Sequence, residues 1–456
     1  MKVTNPATGT VIRELAEDGP EEVAPKHDRA RRAQPVWAAR PYGERAAAIC
    51  RFRDLLVLRC DDLARTLTSE MGKPITQSRN ELEATPGRID FFLEATPSVL
   101  REETVLQREG LEESITREPL GVVANVSAWN YPYFVGSNVF IPALLTGNAV
   151  LYKPSEFATL TGLAIGDLMH QAGVPEDVFI VVTGGGETGA ALVGQDVQAV
   201  FFTGSYATGR RIAAEAGRRL VRLNLELGGK DPVYVADDVD VKTAAASVAE
   251  GAFYNTGQSC CAVERVYVHH AVHDRFREAF VEVVRGYVAG DPMDPNTFIG
   301  PLARPAQVAV LERQVEDARA KGGRLLLGGQ RIDVPGCWFE PTVVAEANHT
   351  MDLMRDESFG PVIGLQRVSG DDEAVSLMND TPYGLTAGAY TPDRERARRI
   401  LSRVNSGSVY WNCCDRVSPR LPWSGRGHSG IGATLGRDGI RAFVQPKAWH
   451  WRNPRA

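Results

Sequence analysis

The sequence predicts an α/β protein made of two α/β domains and a small β module. Three observations predict it. The chain has 456 residues, and a single hydrophobic core rarely grows beyond about 250–300 residues, so more than one domain is required. From Gly121 onward, short β-rich apolar runs alternate with helical stretches in two successive blocks, the pattern of parallel sheets. Strand-patterned segments at Leu111–Arg117 and from about Arg441 to the end belong to neither block.

Taken in order, residues from about Glu44 to Leu106 carry helical periodicity, with apolar positions at Ile49, Phe52, Leu55, Leu56, Leu63 and Leu67. Leu111–Arg117 interleaves Glu and Ser with apolar residues and reads as a polar hairpin strand. The first block places strands at Val122–Val126, Ala149–Tyr152, Val178–Val182, Ala199–Phe202 and Leu220–Leu225, with helices such as Leu160–Ala172 and Thr188–Gly194 between them. The second places strands at Pro232–Val235, Val266–Val268, Arg324–Leu327, Val362–Gln366, Gly388–Tyr390 and Gly407–Tyr410, with helices such as Val272–Val288 and Ala306–Lys321. The blocks meet near Gly228–Gly229. The tail strand and the early hairpin form the third module, and leftover strands are candidates for pairing between subunits.

The net charge is −6, spread along the chain, which speaks against an electrostatically driven nucleic-acid binder. The opening MKVTNPATGT has no apolar core of a secretory signal. The longest apolar stretch, Val139–Leu151, is broken by Pro142, Thr146, Gly147 and Asn148 and is too short for a bilayer. Seven cysteines, at 50, 60, 260, 261, 337, 413 and 414, are odd in number and lack zinc-type spacing. Free thiols in a reducing cytoplasm are the simplest expectation. His269, His270 and His273 have no accompanying thiols and read as surface residues, so no metal site is expected.

Four local patterns carry chemistry. Cys260 lies in Asn255-Thr256-Gly257-Gln258-Ser259-Cys260-Cys261; a loop bounded by glycine can expose a thiol nucleophile, and two buried structural thiols are the alternative. Glu226 ends an apolar strand before Gly228-Gly229-Lys230. The carboxyl edge of a sheet is where α/β enzymes hold ligands, and partial burial there suits a general base; a carboxylate paired with Lys230 is the alternative. Phe202-Thr203-Gly204-Ser205-Tyr206-Ala207-Thr208-Gly209 leaves a strand and opens a helix, as a phosphate-binding turn does. It is neither a Walker A loop, since Arg210-Arg211 follow, nor G-x-G-x-x-G. Gly184-Gly185-Gly186 is a second exit of the same kind. Lys153-Pro154-Ser155-Glu156 ends another strand and reads either as a ribose-binding pair or as a helix start capped by Ser155.

Together these motifs resemble the aldehyde dehydrogenase superfamily over nearly the whole chain. In the family's order stand Asn5 to Gly9, Ala128-Trp129-Asn130, Lys153 to Glu156, Phe202 to Ser205, Leu225 to Lys230, Gly257 to Cys260, Glu357-Ser358-Phe359-Gly360-Pro361, Asn379 to Leu385, Pro422 to Gly430 and Pro446-Lys447. The resemblance implies a Rossmann-like cofactor domain (1–105 and 121–227), an α/β catalytic domain (228–428) and oligomerisation elements (106–120 and 429–456). It implies oxidation of an aldehyde to the acid with NAD(P). Cys260 would be the nucleophile, Glu226 the base that activates water, and Asn130 the oxyanion donor with the Cys260 N–H. Cofactor contacts would come from Val126, Trp129, Lys153, Ser155, Glu156, Gly186, Phe202, Thr203, Gly204, Ser205, Thr208, Leu227, Glu357 and Phe359. Glu156 near the ribose 2′-OH points to NAD over NADP, because a carboxylate repels a 2′-phosphate. The substrate funnel would hold Tyr131, Phe134, Ser259, Cys261, Cys414, Val417 and Trp423, mostly apolar or soft, suiting an apolar aliphatic or aromatic aldehyde. Arg416 and Arg420 leave a carboxylated one, of the succinic semialdehyde type, as the alternative. A homodimer or homotetramer is expected.

The chain departs from the family pattern. Ala128 precedes Trp-Asn where proline is usual, Ser424 replaces a glycine beside Trp423, and Gly427 stands where lysine is common. Val139 and Thr434 stand where a lysine and a glutamate form a polar relay to the base. Both partners are absent together, so the expectation is that Glu226 works through water or backbone groups. Three rival readings are weaker. A CoA-acylating enzyme characteristically lacks the base, and Glu226 is present; the cofactor motifs speak against a cofactor-free thiol esterase; intact Cys260, Glu226 and Asn130 speak against a non-catalytic scaffold. Vicinal bridges are strained, so Cys261 is expected as a free thiol.

Overall fold

The computed structural model describes residues 1–453. Helices Pro20–Ala38, Tyr42–Leu58, Cys60–Met71 and Ile75–Leu100 come first. The first of them escapes sequence reading because Pro25 and Pro35 and its charged face mask a stripe of Val23, His27, Ala30 and Trp37, all buried at helical spacing. Helical periodicity stops at Leu100. Leu106, expected on a helix, lies instead in the strand Glu103–Arg108, which pairs with Leu111–Pro119. That cross-strand pairing overrides a local pattern.

The first alternating block forms a six-stranded sheet. Its order is Gly430–Ile431, Arg222–Glu226, Ala199–Thr203, Val122–Val126, Ala149–Lys153, Phe179–Val181. All pairs are parallel except the first. Val122–Val126 and Ala149–Lys153 are buried along their whole lengths, as strands covered by helices on both faces must be. The chain leaves Val122–Val126 in one direction and returns to its other side at Ala199–Thr203. The crevice at their carboxyl ends is therefore a topological switch point, where ligands bind.

The second block forms a seven-stranded sheet. Its order is Arg324–Leu327, Thr342–Ala345, Val362–Val368, Val263–His269, Asp231–Val235, Thr386–Tyr390, Ser408–Trp411, parallel but for the antiparallel edge Arg324–Leu327. The strand Thr342–Ala345 and the small hairpin Lys2–Thr4 with Val11–Glu14 lie outside the sequence-based strand assignments.

A three-stranded sheet joins Glu103–Arg108, Leu111–Pro119 and Val444–Arg452, the last pair running in register from Val444 opposite Pro119 to Arg452 opposite Leu111. The tail therefore divides. Gly430–Ile431 borders the six-stranded sheet, Gly436–Arg441 is a short helix, and Val444–Arg452 alone joins the hairpin.

Candidate active site

Parallel register lines up the ends of four strands. Val126 stands opposite Lys153 and Phe202, and Thr203 stands opposite Glu226. Cys260 reaches this edge from the other sheet. The helix Val241–Phe253 runs into a tight turn in which Asn255 and Thr256 take left-handed conformations, φ 53° and 58°. Gly257 follows at φ 71°, where a Cβ would lie 2.3 Å from the Gly360 carbonyl oxygen; only glycine fits that approach. The loop is held by side chains. The Asn255 amide donates to the carbonyls of Asn130 (3.2 Å) and Gln258 (3.0 Å), and the Ala303 N–H donates to Gln258 Oε1 at 2.9 Å. Asn130 Nδ2 donates to the Gln258 carbonyl at 3.1 Å. Cys260, Glu226 and Asn130 all line one cavity of about 550 Å³.

Glu226 is 7% exposed. Burial raises its pKa to about 7, against the opposing pull of a hydrogen bond from Thr434 and of the Arg88 charge. The expectation that the base lacks side-chain partners is thus corrected: Thr434 Oγ1 donates to Glu226 Oε1, and Arg88, from the helix Ile75–Leu100, supplies a cation on the same cavity wall. The sequence hid this because Arg88 is 138 positions from Glu226 and on another element. Lys230 is not the partner of Glu226; it pairs with Glu264 at 2.5 Å.

The cofactor candidates fall into two groups along the crevice. Ser205 caps the helix Tyr206–Arg219, accepting from the Thr208 N–H at 3.3 Å, with both residues exposed. Gly186 opens the helix Gly186–Val193, and Lys153 packs on its Gly189. Ser155 does not cap a helix; its hydroxyl receives the Phe157 N–H and donates to exposed Glu156 at 3.2 Å. Leu227 packs on Gly209, and the Gly204 N–H donates to the Glu226 carbonyl at 3.0 Å. On the facing side, Glu357 accepts the Gly229 N–H at 3.1 Å and lies where a Cβ on Gly228 would be, 2.2 Å away. Burial raises the Glu357 pKa to about 8. The Trp129 and Phe359 rings meet edge-on at 5.5 Å. Sequence reading missed Glu264, which accepts the N–H groups of Ser358 (2.8 Å) and Phe359 (2.9 Å) and so holds that segment. A carboxylate inside the buried strand Val263–His269 was the available signal.

Tyr131, Phe134, Ser259, Cys261, Cys414, Val417 and Trp423 line the cavity, together with Glu81, Arg88 and Asp415. The expected apolar or soft funnel therefore has charged groups in its wall. Arg416 is exposed and lies 4.0 Å from Glu250, and Arg420 is exposed. All seven cysteines are free. The Cys261 thiol donates to Asp415 Oδ1 at 2.9 Å; its hydrogen bond with Cys260 and its burial hold its pKa well above the usual thiol range. His273, expected at the surface, is 1% exposed, with Asp274 and Arg367 against its Nδ1. Among the described residues no group of three or more metal-ligating side chains exists, and no helix is long and apolar enough to cross a membrane.

Comparison with known proteins supplies the framework for this site. The aldehyde dehydrogenase family matches residues 1–449. A betaine aldehyde dehydrogenase of Cereibacter sphaeroides is 36% identical over 98% of this chain and 93% of its own. A succinate-semialdehyde dehydrogenase (NADP(+)) of Deinococcus radiodurans is 35% identical over 97% of this chain and 93% of its own. The crystal structure of an NAD-dependent aldehyde dehydrogenase from Sinorhizobium meliloti superposes with a TM-score of 0.97 at 32% identity, covering 100% of this chain and 92% of that one. A match of this length, over a cysteine loop and a buried carboxylate that share one cavity, assigns the chain: it belongs to the aldehyde dehydrogenase family, oxidoreductases that act on aldehydes with NAD(P).

Proposed function

We propose that this protein oxidises an aldehyde to its carboxylic acid through a thioester on Cys260, hydrolysed by water that Glu226 activates. The observation that carries the proposal is the shared cavity of Cys260, Glu226 and Asn130, with Glu226 poised near neutral pH. The Cys260 thiolate adds to the aldehyde carbon. The oxyanion accepts from the Asn130 amide and the Cys260 N–H; one such donor is worth about 2.7–4 kcal/mol in the transition state. After oxidation to the thioester, Glu226 takes a proton from water, which attacks the acyl carbon and releases the acid and the Cys260 thiol.

The crevice fits a dinucleotide. Gly228 leaves the space that Glu357 occupies, and the first turn after Ser205 keeps its hydroxyls exposed. When bound, NAD(P)+ supplies the two-electron oxidant. Thr203, Gly204, Ser205 and Thr208 would hold its pyrophosphate beside Val126, Phe202, Gly186 and Leu227. Lys153, Ser155 and Glu156 would hold the adenine ribose, and Glu357, Phe359 and Trp129 the nicotinamide end. Exposed Glu156 favours NAD over NADP. Tyr131, Phe134, Val417 and Trp423 form the aromatic and aliphatic wall for the aldehyde, with Ser259, Cys261 and Cys414 beside the nucleophile.

The free cysteines suit a reducing cytoplasm. The free edge of the three-stranded sheet suits pairing in a homodimer or homotetramer. Residues 1–105 and 121–227 form the proposed cofactor domain and 228–428 the catalytic one. An NAD+-reduction screen over an aldehyde panel tests the function, with Cys260→Ala as control. NADH formation lost in Cys260→Ala supports it; full activity in that variant would overturn the nucleophile.

A further inference from the structure

The cavity wall holds a cation that makes no ion pair among the described residues. Arg88 is 5% exposed and lines the cavity with Glu226 and Cys260. Burial lowers its pKa to about 10, so it keeps its charge at neutral pH. Among the described residues it donates one hydrogen bond, Nη1 to Asn138 Oδ1 at 2.7 Å. Among the same residues it forms no ion pair. Its guanidinium carbon lies 4.3 Å from the centre of the Phe134 ring, so that ring and the Asn138 bond hold it in place. A guanidinium carries five N–H donors, and most of them here have no acceptor.

The surrounding charges are otherwise committed. Glu81 binds buried Lys73 at 2.5 Å and receives the Tyr133 N–H at 2.9 Å. Glu226 receives Thr434 and interacts with the Arg88 charge only through space, with no hydrogen bond or ion pair between them among the described residues. Asp415 receives Ser259 and Cys261, and burial raises its pKa. Glu250 faces Arg416 at the exposed rim. A buried cation without a counter-ion in contact is costly, and a bound anion relieves that cost. Arg416 and Arg420, where the sequence suggested an anion could bind, also line this cavity but are exposed to solvent, whereas Arg88 is buried.

We propose that Arg88 anchors a carboxylate of the substrate, so that the aldehyde oxidised at Cys260 carries a carboxylate elsewhere in the molecule. This rests on the aldehyde-oxidising reading above. The planar fork matches a carboxylate bidentately, Asn138 and Phe134 hold it in place, and the apolar wall takes the carbons between the two ends. Arg88 is thus a specificity-determining residue, and it lies outside the motifs on which the sequence reading rests.

The test compares 4-oxobutanoate with its methyl ester. Wild type is expected to show a kcat/KM at least about tenfold higher for the free acid, and Arg88→Met to lower that acid-to-ester ratio by about tenfold or more, to near one, mainly through KM. An unchanged ratio in Arg88→Met overturns the proposal, as does a wild type that prefers the ester. Should Arg88→Met not fold, thermal stabilisation of wild type decides. Succinate raises Tm at concentrations where succinamide and inorganic phosphate do not; equal effects of the three overturn the anchor. This readout needs no turnover. Succinate binding without oxidation of any aldehyde would sink the catalytic reading and leave the anchor standing.

Discussion

Replacing Thr434 by valine removes one hydroxyl and little volume, and it isolates the control of Glu226, the proposed base. The backbone of Thr434 pairs with Trp423 in both directions, at 2.7 and 2.9 Å, and valine keeps those bonds. What is lost is the donor to Glu226 Oε1. That bond favours the carboxylate and opposes the burial that lifts Glu226 to about 7. A hydrogen bond to a charged group is worth about 1.5–3 kcal/mol, and a pKa unit corresponds to about 1.4 kcal/mol. Glu226 in Thr434→Val therefore titrates roughly one to two units higher. At pH 7 the ionised fraction falls from about one half to somewhere between a tenth and a hundredth. Where deacylation limits turnover, kcat at pH 7 falls about 5- to 50-fold and recovers as pH rises past the new pKa. The assay is kcat against pH for wild type, Thr434→Val and Thr434→Ser. The serine variant keeps the hydroxyl and the wild-type acid limb. An unshifted acid limb in Thr434→Val, or an equal loss at every pH, would refute the reasoning.

Two further outcomes follow from buried charge. Glu264→Gln leaves Lys230 buried without its counter-ion and weakens the bonds to the Ser358 and Phe359 N–H groups. Breaking one partner of such a pair costs about 3–5 kcal/mol, so Tm drops by several degrees and KM for NAD+ rises; an unchanged Tm would mean Lys230 is answered otherwise. Asp231 accepts the Thr386 hydroxyl at 2.6 Å, and burial raises its pKa from 3.8 to about 8. Its folded pKa lies above the unfolded one, so its contribution to stability is complete below pH 3.8 and is lost as pH rises through 8. Asp231→Asn has no such loss, and the two melting temperatures should diverge in favour of Asn between those limits. Parallel Tm–pH curves would show that Asp231 is ionised in the native state.

Much of the frame was legible because it is local. Buried parallel strands such as Val122–Val126 and Asp231–Val235 announce themselves as short apolar runs between turns. Elements whose evidence is a partner elsewhere were not. Gly430–Ile431 is a strand only because Glu226 and Leu225 lie beside it. Glu103–Arg108 is a strand only because Leu111–Pro119 pairs with it. Pro20–Ala38 hides its apolar stripe behind prolines. The same division runs through the site. Cys260, Glu226 and Asn130 sit in segments with distinctive turn chemistry, whereas Glu264 and Arg88 are single charged residues in ordinary strand and helix sequence.

By itself, then, the sequence determined the α/β class, the two alternating blocks and the motif-borne candidates, because periodicity and glycine-bearing turns are properties of neighbouring residues. Only the tertiary structure decided what surrounds them: Thr434 on Glu226, Glu264 under Phe359, Arg88 in the cavity wall. Those are encounters between positions far apart in the chain. Their energies come from burial, which raises the Glu226 pKa toward 7 and leaves Arg88 charged without an ion pair among the described residues, and burial exists only once the sheets and helices have closed over them.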